Sequence, residues 1–156
     1  METAALSRQY GFTLIELMIT VAVMAVMVAV AAPSFTDILT AQRMRSVAYD
    51  MTSDLVLARS EAVKRSADVN IEPSASGWAG GWTVRVPSTA VVISSRKAAG
   101  NGVVFSTSPG TVTFDLNGRL PTATPQRFGL SDGGSRNRCI SIDPSGRPNS
   151  VVASCP

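Results

Sequence analysis

Between Phe12 and Ala32 the chain runs for 21 residues with one charged side chain, Glu16. A helix of about that length crosses the hydrocarbon core of a bilayer, so the run constrains the N-terminal part of the chain to a membrane-spanning or membrane-like environment. A charge near the centre of a bilayer costs roughly 2.5–3.5 kcal/mol on insertion scales. The acid therefore needs a partner and a use. The remainder of the 156 residues is polar and rich in Ser, Thr, Gly and Pro, which is enough chain for one domain behind the apolar segment.

The formal net charge is +3, and the basic excess lies after residue 66, well short of a polybasic tail. There is no His, and the only cysteines are Cys139 and Cys155. That composition removes Ser–His and Cys–His catalytic couples and most zinc, haem and iron–sulfur arrangements. Asp115, Asp132 and Asp143 are spaced as separate turn residues and do not make a metal loop. The sequence therefore offers no catalytic residues, no metal ligands and no cofactor fingerprint, and predicts a protein that is not an enzyme.

Three readings compete for residues 1–33. A cleaved secretory signal would use Arg8 ahead of the apolar run and Ala29-Val30-Ala31 as its cleavage site, but the run exceeds the usual length and Glu16 interrupts it. A plain membrane anchor gives no reason for Glu16. The third reading joins a short polar leader ending at Gly11 to Phe12-Thr13-Leu14-Ile15-Glu16 and the long apolar tail. That stretch resembles the prepilin signature of type IV pilins and type II secretion pseudopilins.

The resemblance implies that a membrane prepilin peptidase cuts after Gly11 and that the new N-terminal residue, Phe12, is methylated. It also assigns Glu16 a role in filament assembly. A charged amine on Phe12, four residues from Glu16, would leave two opposite charges in an apolar packing zone. Such a pair attracts strongly at low dielectric and either charge alone is penalised, so pairing within or between subunits rewards one axial stagger of neighbouring helices.

Pro33 removes a backbone donor and would kink a helix without ending it. Helical periodicity then resumes: Ala41, Ala48, Leu55 and Ala62 recur every seven residues, with Met44, Met51 and Ala58 three positions after each of the first three. Arg43, Asp50, Asp54 and Glu61 fall off this stripe, and Glu61 with Arg65 makes an i,i+4 pair. The stripe is expected to pack on the protein's own sheet, with the helix fading near Ser66 before the turn-rich "EPSASGWAGG". From there the period changes. "WTVRV", "VVISS", "VVFST", "TVTFDL" and "RCISI" are short β-branched runs. Turn signals divide them at Asn101-Gly102, Pro109-Gly110, Asn117-Gly118, Asp132-Gly133-Gly134 and Pro144-Ser145-Gly146. They predict an antiparallel β domain of five to seven strands.

The fold class is thus α+β. The expected segments are a prepilin leader at 1–11, a transmembrane or filament-core helix half at 12–33, an amphipathic half at 34–66 and a β domain at 67–156. The resemblance implies the ladle shape of pilins. "GWTVRV" and "FDLNGRL" further resemble the FimT and pseudopilin H (GspH) branch. By the same resemblance the domain lies in the periplasm, an oxidising compartment that favours a Cys139–Cys155 disulfide over two free thiols.

Arg127, Arg136, Arg138 and Arg147 fall in the last thirty residues. Arg136 and Arg138, two apart, would share one face of a strand, and Arg147 sits in a Gly-Arg-Pro-Asn turn. FimT-like DNA-uptake pilins carry a Gly-Arg-x-Arg motif in this tail; Gly146 and Arg147 match it, and Asn149 stands where the second arginine would be. Arg136, Arg138 and Arg147 are the candidates for weak, non-specific phosphate contacts to double-stranded DNA, against a solvated basic rim or an interface with other pilins. The sequence reads as a minor pilin at the tip or in the priming complex of a type IV pilus, held in the inner membrane before assembly into the filament. A DNA-binding minor pilin for natural transformation and pseudopilin H of a type II secretion system are the alternatives.

Overall fold

The computed structural model describes residues 11–100 and 102–156, without the side chains of residues 32–34. Residues 1–10 of the expected leader, Arg8 among them, Asn101 of the expected Asn101-Gly102 turn, and the Pro33 side chain lie outside the described residues.

Helix α1 spans Leu14–Arg65. Its start is set by Thr13, whose Oγ1 accepts the backbone N–H of Glu16 at 3.3 Å, while its carbonyl accepts the N–H of Leu17 at 3.1 Å. Thr-x-x-Glu is the residue pattern of a capping box, and an acid in the first turn also suits the positive end of the helix dipole. The other end closes at Ser66, which takes a left-handed φ of 48°. The N–H of Ser66 then reaches the Val63 carbonyl at 3.3 Å, and that of Ala67 reaches Ala62 at 3.2 Å. These two bonds make a Schellman motif and satisfy carbonyls the helix would leave open.

The chain divides into two units after Asp37. In the first, none of the described side chains is buried, and the large apolar side chains from Leu14 to Val30, with Phe35, are exposed around the helix. The helix is long and apolar enough there to cross a bilayer.

In the second unit, one stripe of α1 is buried: Met44, Val47, Ala48, Met51, Leu55, Ala58 and Ala62. The alanines keep that stripe thin, so the helix can approach the sheets closely. Ala41, expected on the stripe, is only half-buried. Asp54, expected off it, is 1% exposed.

Among the described residues eight antiparallel strands follow, one more than the upper expectation, in two four-stranded sheets. They are β1 (Val69–Ser74), β2 (Gly77–Val86), β3 (Val91–Arg96), β4 (Val104–Thr107), β5 (Val112–Phe114), β6 (Gln126–Ser131), β7 (Asn137–Ile142) and β8 (Pro148–Val151). One sheet runs β3-β2-β1-β5, the other β4-β6-β7-β8. The stretch expected to be turn-rich, "EPSASGWAGG", is instead the β1–β2 hairpin, with Glu72 opposite Thr83 and Pro73 opposite Trp82. Its actual turn is confined to the residues between Ser74 and Gly77.

The two sheets and the helix stripe share one core of Val69, Ile71, Val84, Val112, Phe114, Phe128, Leu130, Ile140 and Ile142. Burying each such side chain is worth about 1.5–3 kcal/mol. Trp78 of one sheet meets Phe128 of the other edge to face at 4.7 Å, and its Nε1–H donates to the Pro109 carbonyl at 2.8 Å. That contact joins the two sheets with a satisfied indole.

Candidate functional site

Gly11, Phe12 and Thr13 precede the first helical residue, and the Phe12 ring is 85% exposed. The Gly11–Phe12 peptide bond thus lies in non-helical chain that a peptidase can take extended. Ala29-Val30-Ala31, by contrast, lies inside α1 with its backbone committed to helical hydrogen bonds. Glu16 is exposed, and its carboxylate has no ion pair among the described residues. It stands in the first turn, on the apolar segment where Leu14, Ile15, Leu17 and Met18 are also exposed.

The buried Asp54 is the feature that reading the sequence missed. Its Oδ2 accepts Trp82 Nε1–H at 2.9 Å and Arg96 Nε–H at 2.8 Å, and its Oδ1 accepts Arg96 Nη2–H at 3.2 Å and the Ser94 hydroxyl at 3.3 Å. Arg96 also reaches Asp50 at 3.4 Å, and the Asp54 contact holds its guanidinium above the ordinary arginine range. The cluster ties α1 to β2 and β3. With both oxygens occupied by fixed donors, Asp54 is a structural fastening with no lone pair aimed at a substrate. Its position three after Met51 and four before Ala58 was the available signal, since that spacing lies on the buried face.

The structure joins Cys139 and Cys155 in a disulfide with Cα atoms 5.0 Å apart. The arginines expected to act together are divided. Arg136 lies in the turn before β7, not in the strand, and its guanidinium meets Asp132 at 3.4 Å. Arg138, in β7, is half-buried and donates to Ser150 Oγ at 3.3 Å. Arg147 lies at the far end of the β7–β8 hairpin, where Ile142 pairs with Pro148. A six-residue strand puts about 20 Å of backbone between those ends. Arg127 is on β6 opposite Ser141.

Three turns share one construction. In Asp115–Arg119, Asp132–Arg136 and Asp143–Arg147, the aspartate Oδ1 accepts the N–H of the arginine four residues on, at 2.8, 3.2 and 3.0 Å. Each aspartate N–H in turn reaches that arginine's carbonyl. Gly134 N–H holds the Asp132 carboxyl below the ordinary aspartate range, and the Ser145 hydroxyl does the same for Asp143. The expected reading of these acids as turn residues is the geometry found.

The first and third turns also stack. The N–H of Leu120 donates to the Pro144 carbonyl at 3.2 Å, and Arg59 of α1 donates to the Gly118 carbonyl at 3.1 Å. A Cβ on Gly146, which has φ +80°, would collide with that same Gly118 carbonyl. Glycine is therefore required there on two counts. Arg119 and Arg147, both exposed, directly follow the two glycines that meet in this stack. Arg119 was not among the expected contacts because it is 28 residues away in sequence.

Residues 47–146 match the family model described as type II transport protein GspH, and residues 6–32 match the prokaryotic N-terminal methylation motif. No curated protein sequence matches the chain. Two crystal structures of the type IV minor pilin FimU of Pseudomonas aeruginosa (strain PAO1) are similar in fold. In space group P21 the identity is 22% and the TM-score 0.60, covering 69% of this chain and 87% of that one. In space group P65 the values are 26% and 0.56, covering 69% and 91%.

Proposed function

The chain belongs to the type II transport protein GspH family, a family of structural subunits and not of enzymes, and on that premise we propose that it is a minor pilin of a type IV pilus. Its prepilin form is cut after Gly11 and methylated on Phe12, the apolar half of α1 resides in the inner membrane with the β domain in the periplasm, and assembly moves that half into the filament among other pilins. One observation carries the proposal. The Gly11–Phe12 bond lies just ahead of a Thr13-capped helix whose described apolar side chains are exposed within their own unit. Intact-mass spectrometry of the membrane-extracted protein tests it. The mature chain should begin at N-methyl-Phe12, and an N-terminus at Ala32 would mean a secretory signal instead.

The family match also supports pseudopilin H of a type II secretion system, whose processing and fold would be the same. Deleting the gene and scoring piliation and protein secretion in the same strain separates the two: loss of surface pili supports the pilus role, loss of secretion alone the other.

A DNA-binding role for the pilin draws support from the stacked turns, in which Arg119 and Arg147 follow the contacting Gly118 and Gly146, although Asn149 breaks the tail motif. Duplex DNA should then be retarded at low salt by the full-length protein in detergent, and Arg119→Ala with Arg147→Ala should abolish that retardation while Lys97→Ala leaves it. No retarded DNA at low salt would leave the structural role alone.

A further inference from the structure

A cavity of about 390 Å3 opens between α1 and the start of β7. Arg45 on the helix, Arg136 in the β6–β7 turn and Arg138 in β7 line it, with Met44 and Ala153 among the apolar walls, and no Asp or Glu contributes to the lining. A second cavity beside it shares Arg45 and Arg138 and continues past Tyr49 and Ser150. Neither Arg45 nor Arg138 has an ion pair among the described residues. The Nε–H of Arg138 is buried and has no acceptor. A planar oxyanion is the group that a guanidinium's fork geometry matches.

We propose that this cleft receives a carboxylate-bearing segment of a neighbouring pilin-class subunit, with an Asp or Glu side chain seated between Arg45 and Arg138. The inference rests on the reading of the chain as an assembling subunit. The cleft is concave and bounded by α1, the start of β7 and the residues after β8, so it admits one extended segment or side chain. A DNA duplex carries its phosphates on a convex surface and would meet the exposed Arg119–Arg147 stack far more readily. The apolar walls would partly dry the ion pair, which strengthens it and makes a mismatched neighbour unfavourable. The cleft thereby selects which subunit sits beside this one.

The test uses the full-length chain, expressed in its own cells in place of the natural copy, with a photocrosslinking phenylalanine at Ser135 on the cleft rim. A second strain carries the crosslinker at Ser88, on the β2–β3 turn, as the control. Adducts in the assembled fraction are mapped by mass spectrometry. The Ser135 adduct should fall on a peptide of another pilin-class subunit that holds an Asp or Glu. Its yield should drop at least tenfold in Arg45→Gln/Arg138→Gln, survive in Arg45→Lys, and show no such dependence from Ser88. Retention of the Cys139–Cys155 disulfide checks folding; if the double variant lacks it, the single Arg45→Gln, on the exposed helix surface, is read instead. An unchanged yield in the glutamine variant, an adduct to nucleic acid or lipid, or no adduct from a chain that does reach the assembled fraction would overturn the cleft and leave the assembly role standing. Absence of the chain from every assembled fraction would overturn both.

Discussion

Asp54 shows how one polar residue on a buried helix face can fix the way a helix meets a sheet. Replacing it with Ala strands Trp82 Nε1–H and removes the anion that holds Arg96, but Arg96 is 38% exposed and can turn to water. The loss should therefore be about 1–3 kcal/mol, the cost of an unsatisfied buried donor and not that of a fully buried charge. Thermal unfolding of the detergent-solubilised protein measures it, and an unchanged midpoint would deny the fastening role. The turn aspartates predict a pH effect. Asp132 and Asp143 have folded values below the ordinary 3.8, so the unfolded chain binds these protons more tightly. Their stabilisation is present above the unfolded value and is lost as pH falls through the lower folded one. Asp143→Asn should flatten the acid decline of the unfolding midpoint below about pH 4, where aspartate titrates, and an identical decline in the variant would assign the acid sensitivity elsewhere. At this scale the N-terminal methylation motif was legible because Gly11, Phe12 and Glu16 fall within six residues of sequence. The Asp54 cluster and the Arg45–Arg138 pairing were not, because each joins residues that only the packed helix and sheets bring together.

Among the elements, the second half of the helix was readable because its apolar stripe and its end near Ser66 are local signals, whereas the Thr13 cap and the buried Asp54 were not read from them. The strands were readable in part. "WTVRV" and "RCISI" announce themselves by β-branched residues, and the turns at Asn117-Gly118, Asp132-Gly133-Gly134 and Pro144-Ser145-Gly146 lie where the sequence puts them. β1 and the start of β2 were missed because Pro73, Ser74, Gly77, Gly80 and Gly81 read as loop. Cross-strand pairing and the burial of Ile71, Trp78 and Trp82 override that local preference. β6 and β8 were missed as well, and β8 is a four-residue edge strand that begins with Pro148. So short an edge gains little from its own pairing with β7, which gives the disulfide its consequence. Cys139 lies in β7 and Cys155 beyond β8, 16 residues apart. Closing that loop is worth on the order of 3 kcal/mol in the chain-entropy model. Cys139→Ser with Cys155→Ser should lower the unfolding midpoint and open the chain after Ile142 to limited proteolysis. Equal resistance to protease in the double variant would show that β8 is held by its pairing alone.

For the whole molecule the decisive residue is Glu16, which belongs to the first unit and is not part of the buried core. Every described contact of the β domain can form without residues 12–31, none of whose side chains is buried in its own unit. Folding and assembly are therefore separable by mutation. Glu16 contributes to the helix start through its backbone N–H, which Thr13 accepts, and that bond survives any side-chain change. Glu16→Ala should accordingly leave cleavage at Gly11, membrane insertion and the Cys139–Cys155 disulfide unchanged. What it removes is the carboxylate proposed to neutralise the new amine on Phe12. An amine without its counter-charge among apolar helices is penalised in every stagger equally, so the preference for one register disappears along with the attraction. The variant should accumulate in the membrane as fully processed protein and fall several-fold in sheared filaments, read by intact mass and by immunoblotting of the two fractions. Glu16→Gln keeps the size and hydrogen-bonding capacity of the side chain but not its charge, and should fail in the same way if charge is the cause. Full incorporation of both variants would remove the register role, whereas failure of the Ala variant with rescue by Gln would transfer it from charge pairing to a neutral hydrogen bond.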